Sequence, residues 1–595
     1  MTLKIQKLYY VNEDKRWFKK WWPEGVPFNS NFEEKTINEV LDKQVEKYGN
    51  ENFIWFLDTW ITYKHFQNYV KSIATSLTNL GIKKGDVVAL HMYNCPMYIV
   101  SYYAITRIGA IACGINPTYQ AVEILHQLEI IKPKMLIVLD ALYESSIKPI
   151  INDSTIKILV YTNLSDLSEI AGVKKAIGKF VKKIPTGKVD FPGALKYSEL
   201  LKTKADVPKI DINVKKDPAT YIMTGGITGL PKAAVLTHFN VVSNAKQCKL
   251  WLGGEKPGIG NIGILPLFHS FAHTAVMNTT LAIGGWIMLF PTPPSQAELC
   301  QQIELLPCKE GLIYAGTEIL FKRLAELKNF KRRFPKVMGK LLLCISSAGP
   351  LHKEVRDAFV NNTGGRIVEG YGLSEAGPAV SAGNLFGESP VGTIGLPFTG
   401  TEWGIWPIDD PNKGPICLGN LEDSNFGIEH TGEICISGPQ VMLEYLEKPE
   451  ETRESFFEFE GKKWLLTGDI GFMNNDGTIE IRDRKKQLIK CKGYSVFPKE
   501  VEELLIKHPD ITEAAVAGIP DDEYGEKIKA WVAIREDCDC SPQKIKEWAK
   551  DNMAHYKVPH NVAIIGELPK DLIGKVQRRV LQETDPVWKE KYGKI

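Results

Sequence analysis

Apolar positions recur with a helical period early in the chain. From Ile37 to Tyr48, Ile37, Val40, Leu41 and Val45 share one face, which predicts an amphipathic helix. Thr62 to Leu80 and Met97 to Gly109 read as two more helices. Between and after them, Val87 to Met92 and Met135 to Leu139 are short apolar runs, the first entered from the Gly85-Asp86 turn, and they predict strands buried on both faces. Strands alternating with helices imply an α/β domain of layered parallel sheets. The pattern restarts late. Pro498 to His508 reads as a helix, Ala514 to Gly518 and Lys529 to Ile534 as strands, Pro542 to Met553 as a helix and Val562 to Ile565 as a strand. That is a small α+β unit of roughly 110 residues. The charged run Arg482-Asp483-Arg484-Lys485-Lys486 falls where the pattern changes. It places the boundary between a large domain, 1–484, and a small one, 485–595.

Other features narrow the picture. Pro257 to Ala297 holds no Asp, Glu, Lys or Arg, yet its most apolar part, Thr274 to Phe290, is short for a membrane span and broken by Gly284-Gly285. A buried helix followed by a buried strand is expected. Pro407 to Glu429, rich in Pro, Gly, Asn and Asp, reads as loop or hairpin. Val173 to Ile184 sets Val173, Ile177, Phe180, Val181 and Ile184 against Lys175, Lys179, Lys182 and Lys183. Such a face can lie on an anionic membrane, and a surface helix packed on its domain has the same pattern. A net charge of +2 over 595 residues gives no field favouring nucleic acid. Met1 to Tyr10 carries no apolar signal core. The 11 cysteines form no CxxC pair; Cys538 and Cys540 are spaced too closely to read as a zinc site, and reduced thiols in a cytoplasmic protein are expected.

The strongest chemical signal is Thr224-Gly225-Gly226-Ile227-Thr228-Gly229-Leu230-Pro231-Lys232. Its glycines let backbone N–H groups approach phosphate oxygens, two threonines add hydroxyl donors, and Lys232 adds charge. Pro231 stands where a Walker loop needs Gly. The segment resembles the phosphate loop of the adenylate-forming superfamily, in its T-G-G form that of medium- and long-chain fatty-acid–CoA ligases. Other pieces follow in the family's order: Asn116-Pro117-x-Tyr119, His126-Gln127, Leu265-Pro266-Leu267-Phe268-His269, Ser346-Ser347-Ala348-Gly349-Pro350, Glu369-Gly370-Tyr371-Gly372-Leu373-Ser374-Glu375, Thr431-Gly432-Glu433, Thr467-Gly468-Asp469, Asp483-Arg484-x-Lys486, Lys490-x-Lys492-Gly493-Tyr494, and Gly574-Lys575 with Arg578.

The resemblance implies ATP, coenzyme A and Mg²⁺, and a carboxylic acid activated as its acyl-adenylate before transfer to a thiol. It implies that Thr224, Thr228, Lys232 and Lys575 meet the phosphates and that Glu375 holds Mg²⁺. Ala348, Gly349, Pro350, Glu369, Gly370, Tyr371 and Gly372 border adenine, Ser374 bonds the α-phosphate, and Asp469 with Arg484 takes the ribose. His269, Phe271, Gly316, Ser347 and Ala348 wall the acyl site. Lys486 is the hinge of a mobile small domain, and Lys490, Lys492, Gly493 and Tyr494 flank the thiol channel. The uncharged acyl walls favour an apolar fatty acid. Aryl or short hydroxy acids, a carrier-protein thiol, a luciferase-type oxygenase and a catalytically dead sensor are the rival readings.

Overall fold

The computed structural model describes residues 20–168, 185–224, 231–419, 424–491, 494–535, 538, 540–570 and 576–592. The basic segment Val173 to Ile184 lies outside them. So do Gly225, Gly226, Ile227, Thr228, Gly229, Lys492, Gly493 and Lys575.

Among the described residues the strands form four sheets, of nine, eight, five and five strands. The nine-stranded sheet has a parallel centre. Ile367–Gly372, Leu341–Ser346, Leu312–Gly316, Gly260–Gly263, Trp286–Leu289 and Asn52–Phe56 lie side by side in that order. The eight-stranded sheet carries Pro218–Thr224, Ile111–Gly114, Val87–His91, Met135–Leu139 and Ile158–Thr162 in parallel, with Lys232–Thr237 and Glu444–Tyr445 antiparallel at one edge. Helices cover these sheets. Ile37–Tyr48 starts at a reciprocal cap between Thr36 and Glu39, and His238–Trp251 starts at one between Thr237 and Asn240, directly after its strand. A third, antiparallel sheet is built on the long strand Lys462–Met473. The last sheet collects strands between Ile489 and Ile564 and has its own apolar cluster around Val496, Val501, Val516, Ile528 and Ile545. The layered α/β architecture with a small α+β C-terminal part is the fold class expected.

The charge-free stretch is core. It runs through Gly260–Gly263, a π-helical turn at His273–Asn278, the helix Thr279–Ile283 and the strand Trp286–Leu289. Gly284, at φ +75°, ends the helix in the left-handed conformation that glycine adopts without penalty. Every residue from Thr279 to Phe290 is buried, so a charge there would have no water. No helix among the described residues is long and apolar enough to cross a membrane.

Candidate active site

The strands flanking the Gly-rich segment are antiparallel neighbours, and Thr224 sits opposite Lys232. Thr224 Oγ1 donates to the Lys232 carbonyl at 3.3 Å. The next strand outward, Glu444–Tyr445, lays the Tyr445 ring 5.0 Å from Lys232 Nζ. The Tyr445 hydroxyl donates to Glu375 Oε1 at 2.7 Å, and the Met442 N–H donates to the Glu375 carbonyl at 2.7 Å. Three segments distant in sequence thus put a lysine, a threonine and a carboxylate at one sheet edge. Ser374 joins them, its Oγ 3.1 Å from Ser270 Oγ.

A second cluster lies beside it. Asp469, on the long strand, faces Arg484 on its hairpin partner. Asp469 Oδ1 accepts from Arg484 Nε at 2.9 Å and Oδ2 from the Tyr371 hydroxyl at 2.6 Å. Burial, then the Asp469 charge, pushes the Tyr371 phenol well above its usual range, while the Asp469 carboxylate raises Arg484 further. Arg484 also feels Glu375, which ties the two clusters together. Gly468 turns the chain into Asp469 at φ +72°. Glu433 holds that turn: its Oε1 accepts from the Gly468 N–H at 3.0 Å and its Oε2 from Lys485 Nζ at 2.7 Å.

Three parallel strands end at this place because their register is shared: Gly316 faces Ser346, and Ser346 faces Glu369. Ligands of such sheets sit beyond the carboxyl ends of the strands. Ser347 follows, its N–H donating to the Gly316 carbonyl at 3.0 Å. Ala348 takes a left-handed φ of +67°, and Ala348, Gly349 and Pro350 are exposed. Glu369 is different: its Oε2 is enclosed without a hydrogen-bond partner, and burial pushes its carboxyl up to about 7. Gly370 sits between Glu369 and Tyr371 on the same strand. Gly372 cannot carry a side chain, since a Cβ would lie 2.3 Å from the Pro378 carbonyl oxygen.

On the acyl side, His269 caps the turn before Phe271, whose N–H donates to His269 Nδ1 at 3.2 Å. His273 is core. Burial pulls it down to about 3, so it is neutral, and it packs edge-on against Tyr102 at 4.9 Å. A cavity of about 120 Å³ lies elsewhere, between Ile37–Tyr48 and His238–Trp251, and touches none of these residues.

The residues expected at the hinge and thiol channel are only partly described. Lys486 falls in the single turn Lys485–Gln487, Lys490 is exposed, and Tyr494 begins the strand Tyr494–Val496. Arg578 is away from the nucleotide cluster: its guanidinium donates to both Glu502 oxygens and to Gln487 Oε1. Trp21 Nε1 donates to Asp476 Oδ2 at 2.7 Å, which ties the N-terminal segment to the turn after the long strand. Sequence reasoning missed Tyr445 and Ser270. Neither carries a local signal; strand pairing and a helix start bring them in.

A family model described as "AMP-binding enzyme" matches residues 41–446, and one described as its C-terminal domain matches 500–575. The chain belongs to the AMP-binding enzyme family. It is 31% identical over 97% of its length to a long-chain-fatty-acid–CoA ligase of Bacillus subtilis, 99% of which is covered. It is 29% identical over 93% of its length to a probable 4-coumarate–CoA ligase 1 of Dictyostelium discoideum, 96% of which is covered. The ATP-bound structure of MatB from Rhodopseudomonas palustris shares the fold, with a TM-score of 0.73 at 21% identity over 92% of this chain and 99% of that one.

Proposed function

We propose that the protein is an AMP-forming acid–thiol ligase that converts a medium- or long-chain fatty acid, ATP and coenzyme A to acyl-CoA, AMP and pyrophosphate. The observation that carries this is the chain of contacts from Thr224 and Lys232 through Tyr445 to Glu375, beside the buried Tyr371–Asp469–Arg484 cluster. A ribose can replace Tyr371 and Arg484 as the partner of Asp469, an acceptor-only carboxylate. Ala348 to Pro350 and Glu369 to Gly372 border the adenine, and Ser374 meets the α-phosphate. Lys232, with Lys575, offsets the repulsion between the substrate carboxylate and the α-phosphate as the new bond forms. Their work is positioning and charge stabilisation.

Glu375 fits Mg²⁺: Tyr445 fixes one oxygen, and among the described residues nothing hydrogen-bonds the other. The ion would screen phosphate charge. We place the domain boundary at 484/485, with Lys486 as hinge and Lys490, Lys492, Gly493 and Tyr494 beside the thiol channel. Lys175, Lys179, Lys182 and Lys183 are the candidates for a peripheral membrane contact. An aryl acid is the second reading, favoured by the 4-coumarate–CoA ligase relative.

The test is a panel of fatty, aryl and dicarboxylic acids with ATP, Mg²⁺ and coenzyme A, following AMP. For fatty acids kcat/KM should climb about fourfold per added CH₂ until the pocket ends. ADP in place of AMP would refute the reading, and a flat profile from acetate to decanoate would refute the fatty-acid part. Lys575→Ala should cost about 100- to 1,000-fold in adenylation yet spare transfer from preformed acyl-adenylate; Gly493→Leu should do the reverse. Equal loss of both steps in both variants would undo the two-state assignment.

A further inference from the structure

The C-terminal sheet carries a second concentration of chemistry that the ligase reaction does not use. His508 and Asp510 form the turn between the helix Pro498–Leu505 and the strand Ile511–Asp521. Cys540 precedes Ser541, the cap of the helix Pro542–Asn552. One ligand atom from each of His508, Asp510 and Cys540 lies within 4.8 Å of the others. We propose that His508, Asp510 and Cys540 bind one zinc-class divalent ion that staples the turn before Ile511 to the start of the helix after Cys540.

The donor set decides the class of ion. One sulfur, one imidazole nitrogen and one carboxylate oxygen suit a borderline-soft cation; Mg²⁺ and Ca²⁺ prefer oxygen alone. Tetrahedral bonds of about 2.0–2.3 Å need ligands roughly 3.3–3.8 Å apart, so the three must close by about 1 Å, which side-chain rotation supplies. His508 is buried, and its ring is held edge-on against Trp548 at 5.3 Å. The Arg535 N–H donates to the Asp510 carbonyl at 3.0 Å, fixing the turn to the strand end. On binding, the Cys540 proton goes to solvent. His508 Nδ1 accepts the Asp510 N–H at 3.1 Å in the metal-free state, so uptake must rearrange this turn.

The place is remote from the ligase chemistry. Ile511 pairs with Ile534 at one end of the hairpin, whereas Cys491, at the hinge side, pairs with Gly525 at the other. Eleven residues of strand separate the ends, roughly 30 Å. Stray thiol binding is limited: of the eleven cysteines only Cys248, Cys538 and Cys540 are not buried.

The experiment uses full-length, reduced, chelator-treated protein titrated with Zn²⁺ against a chromophoric competitor, and with Co²⁺ followed by absorption. The expected result is one equivalent of Zn²⁺ at sub-micromolar Kd, a thiolate-to-cobalt charge-transfer band, and a Tm raised by Zn²⁺. His508→Ala and Cys540→Ser should weaken Zn²⁺ binding at least about tenfold, and Cys540→Ser should abolish the band. Cys248→Ser should behave as wild type. Asp510→Asn, which keeps the turn's shape, should also weaken binding and serves if Cys540→Ser fails to fold. Absence of stoichiometric uptake, unchanged affinity in His508→Ala and Asp510→Asn, or a loss that follows Cys248 would overturn the site.

Discussion

Asp469 and Asp483 stand on the two strands of one hairpin, on adjoining rungs: Asp469 faces Arg484, and Ile470 faces Asp483. They are equally buried, at 3% and 4% exposure. Their partners differ. Asp469 is held by two side chains, Tyr371 and Arg484. Asp483 is held by two backbone N–H groups, those of Arg484 and Lys499, each at 2.8 Å, the second from the helix that opens the C-terminal part. Side-chain donors can be given up to a ribose. The Arg484 N–H belongs to the next residue and cannot leave Asp483 without unfolding the turn. Burial therefore does not mark the functional acid; the kind of donor does.

Replacement of Asp469 should produce the largest effect. Asp469→Ala removes the proposed ribose acceptor and leaves the buried Tyr371 hydroxyl and the partly exposed Arg484 without their shared partner, so kcat/KM for ATP should fall roughly 100-fold or more, with a lower Tm. Steady-state kinetics at varied ATP would test this, and a change under threefold would remove Asp469 from the nucleotide site. Tyr371→Phe, which removes the hydroxyl that orients that carboxylate ahead of the nucleotide, should cost about tenfold in the same measurement. Unchanged kinetics would mean that the phenol serves packing alone.

Glu369 extends the comparison, being an acid with an enclosed oxygen and no partner for it. Its folded value of about 7 lies above the unfolded value of about 4.3. The proton stabilises the folded state, so this contribution is complete below about pH 4 and lost as pH rises through 7. Melting curves across that window should show a decline in wild type that Glu369→Gln flattens; parallel curves would contradict it. Asp483→Asn should matter least to catalysis, with kcat within about threefold of wild type, because the amide still accepts a backbone N–H. Burial raises Asp483, so the neutral amide also removes a buried charge. A loss matching that of Asp469→Ala would erase the distinction between the two acids.

Much of this architecture is legible along the chain. The period of Ile37 to Tyr48 returns as a helix with those bounds, and Met135 to Leu139 as a strand with those bounds, because each buries a face that its own residues define. The C-terminal strands run longer than expected: Ile511–Asp521 includes Asp521, and Gly525–Ile534 includes Glu526 and Lys527, since hairpin pairing extends past the apolar run. The motif pieces around Thr224, Glu369 to Glu375 and Asp469 are visible because each packs its chemistry into a few consecutive residues. Tyr445 and Ser270 had no such signal.

By itself the sequence determined the class of fold, the family and the order of the chemical segments, since hydrophobic period and short motifs are local properties. The tertiary structure alone decided that Thr224 faces Lys232, that Tyr445 reaches Glu375, that Asp469 rather than Asp483 has exchangeable partners, and that Cys540 meets His508 and Asp510. The reason is that these are cross-strand and cross-turn meetings. They depend on register and on which face a side chain takes, and a one-residue slip would send each of the strand-borne side chains to the opposite side of its sheet.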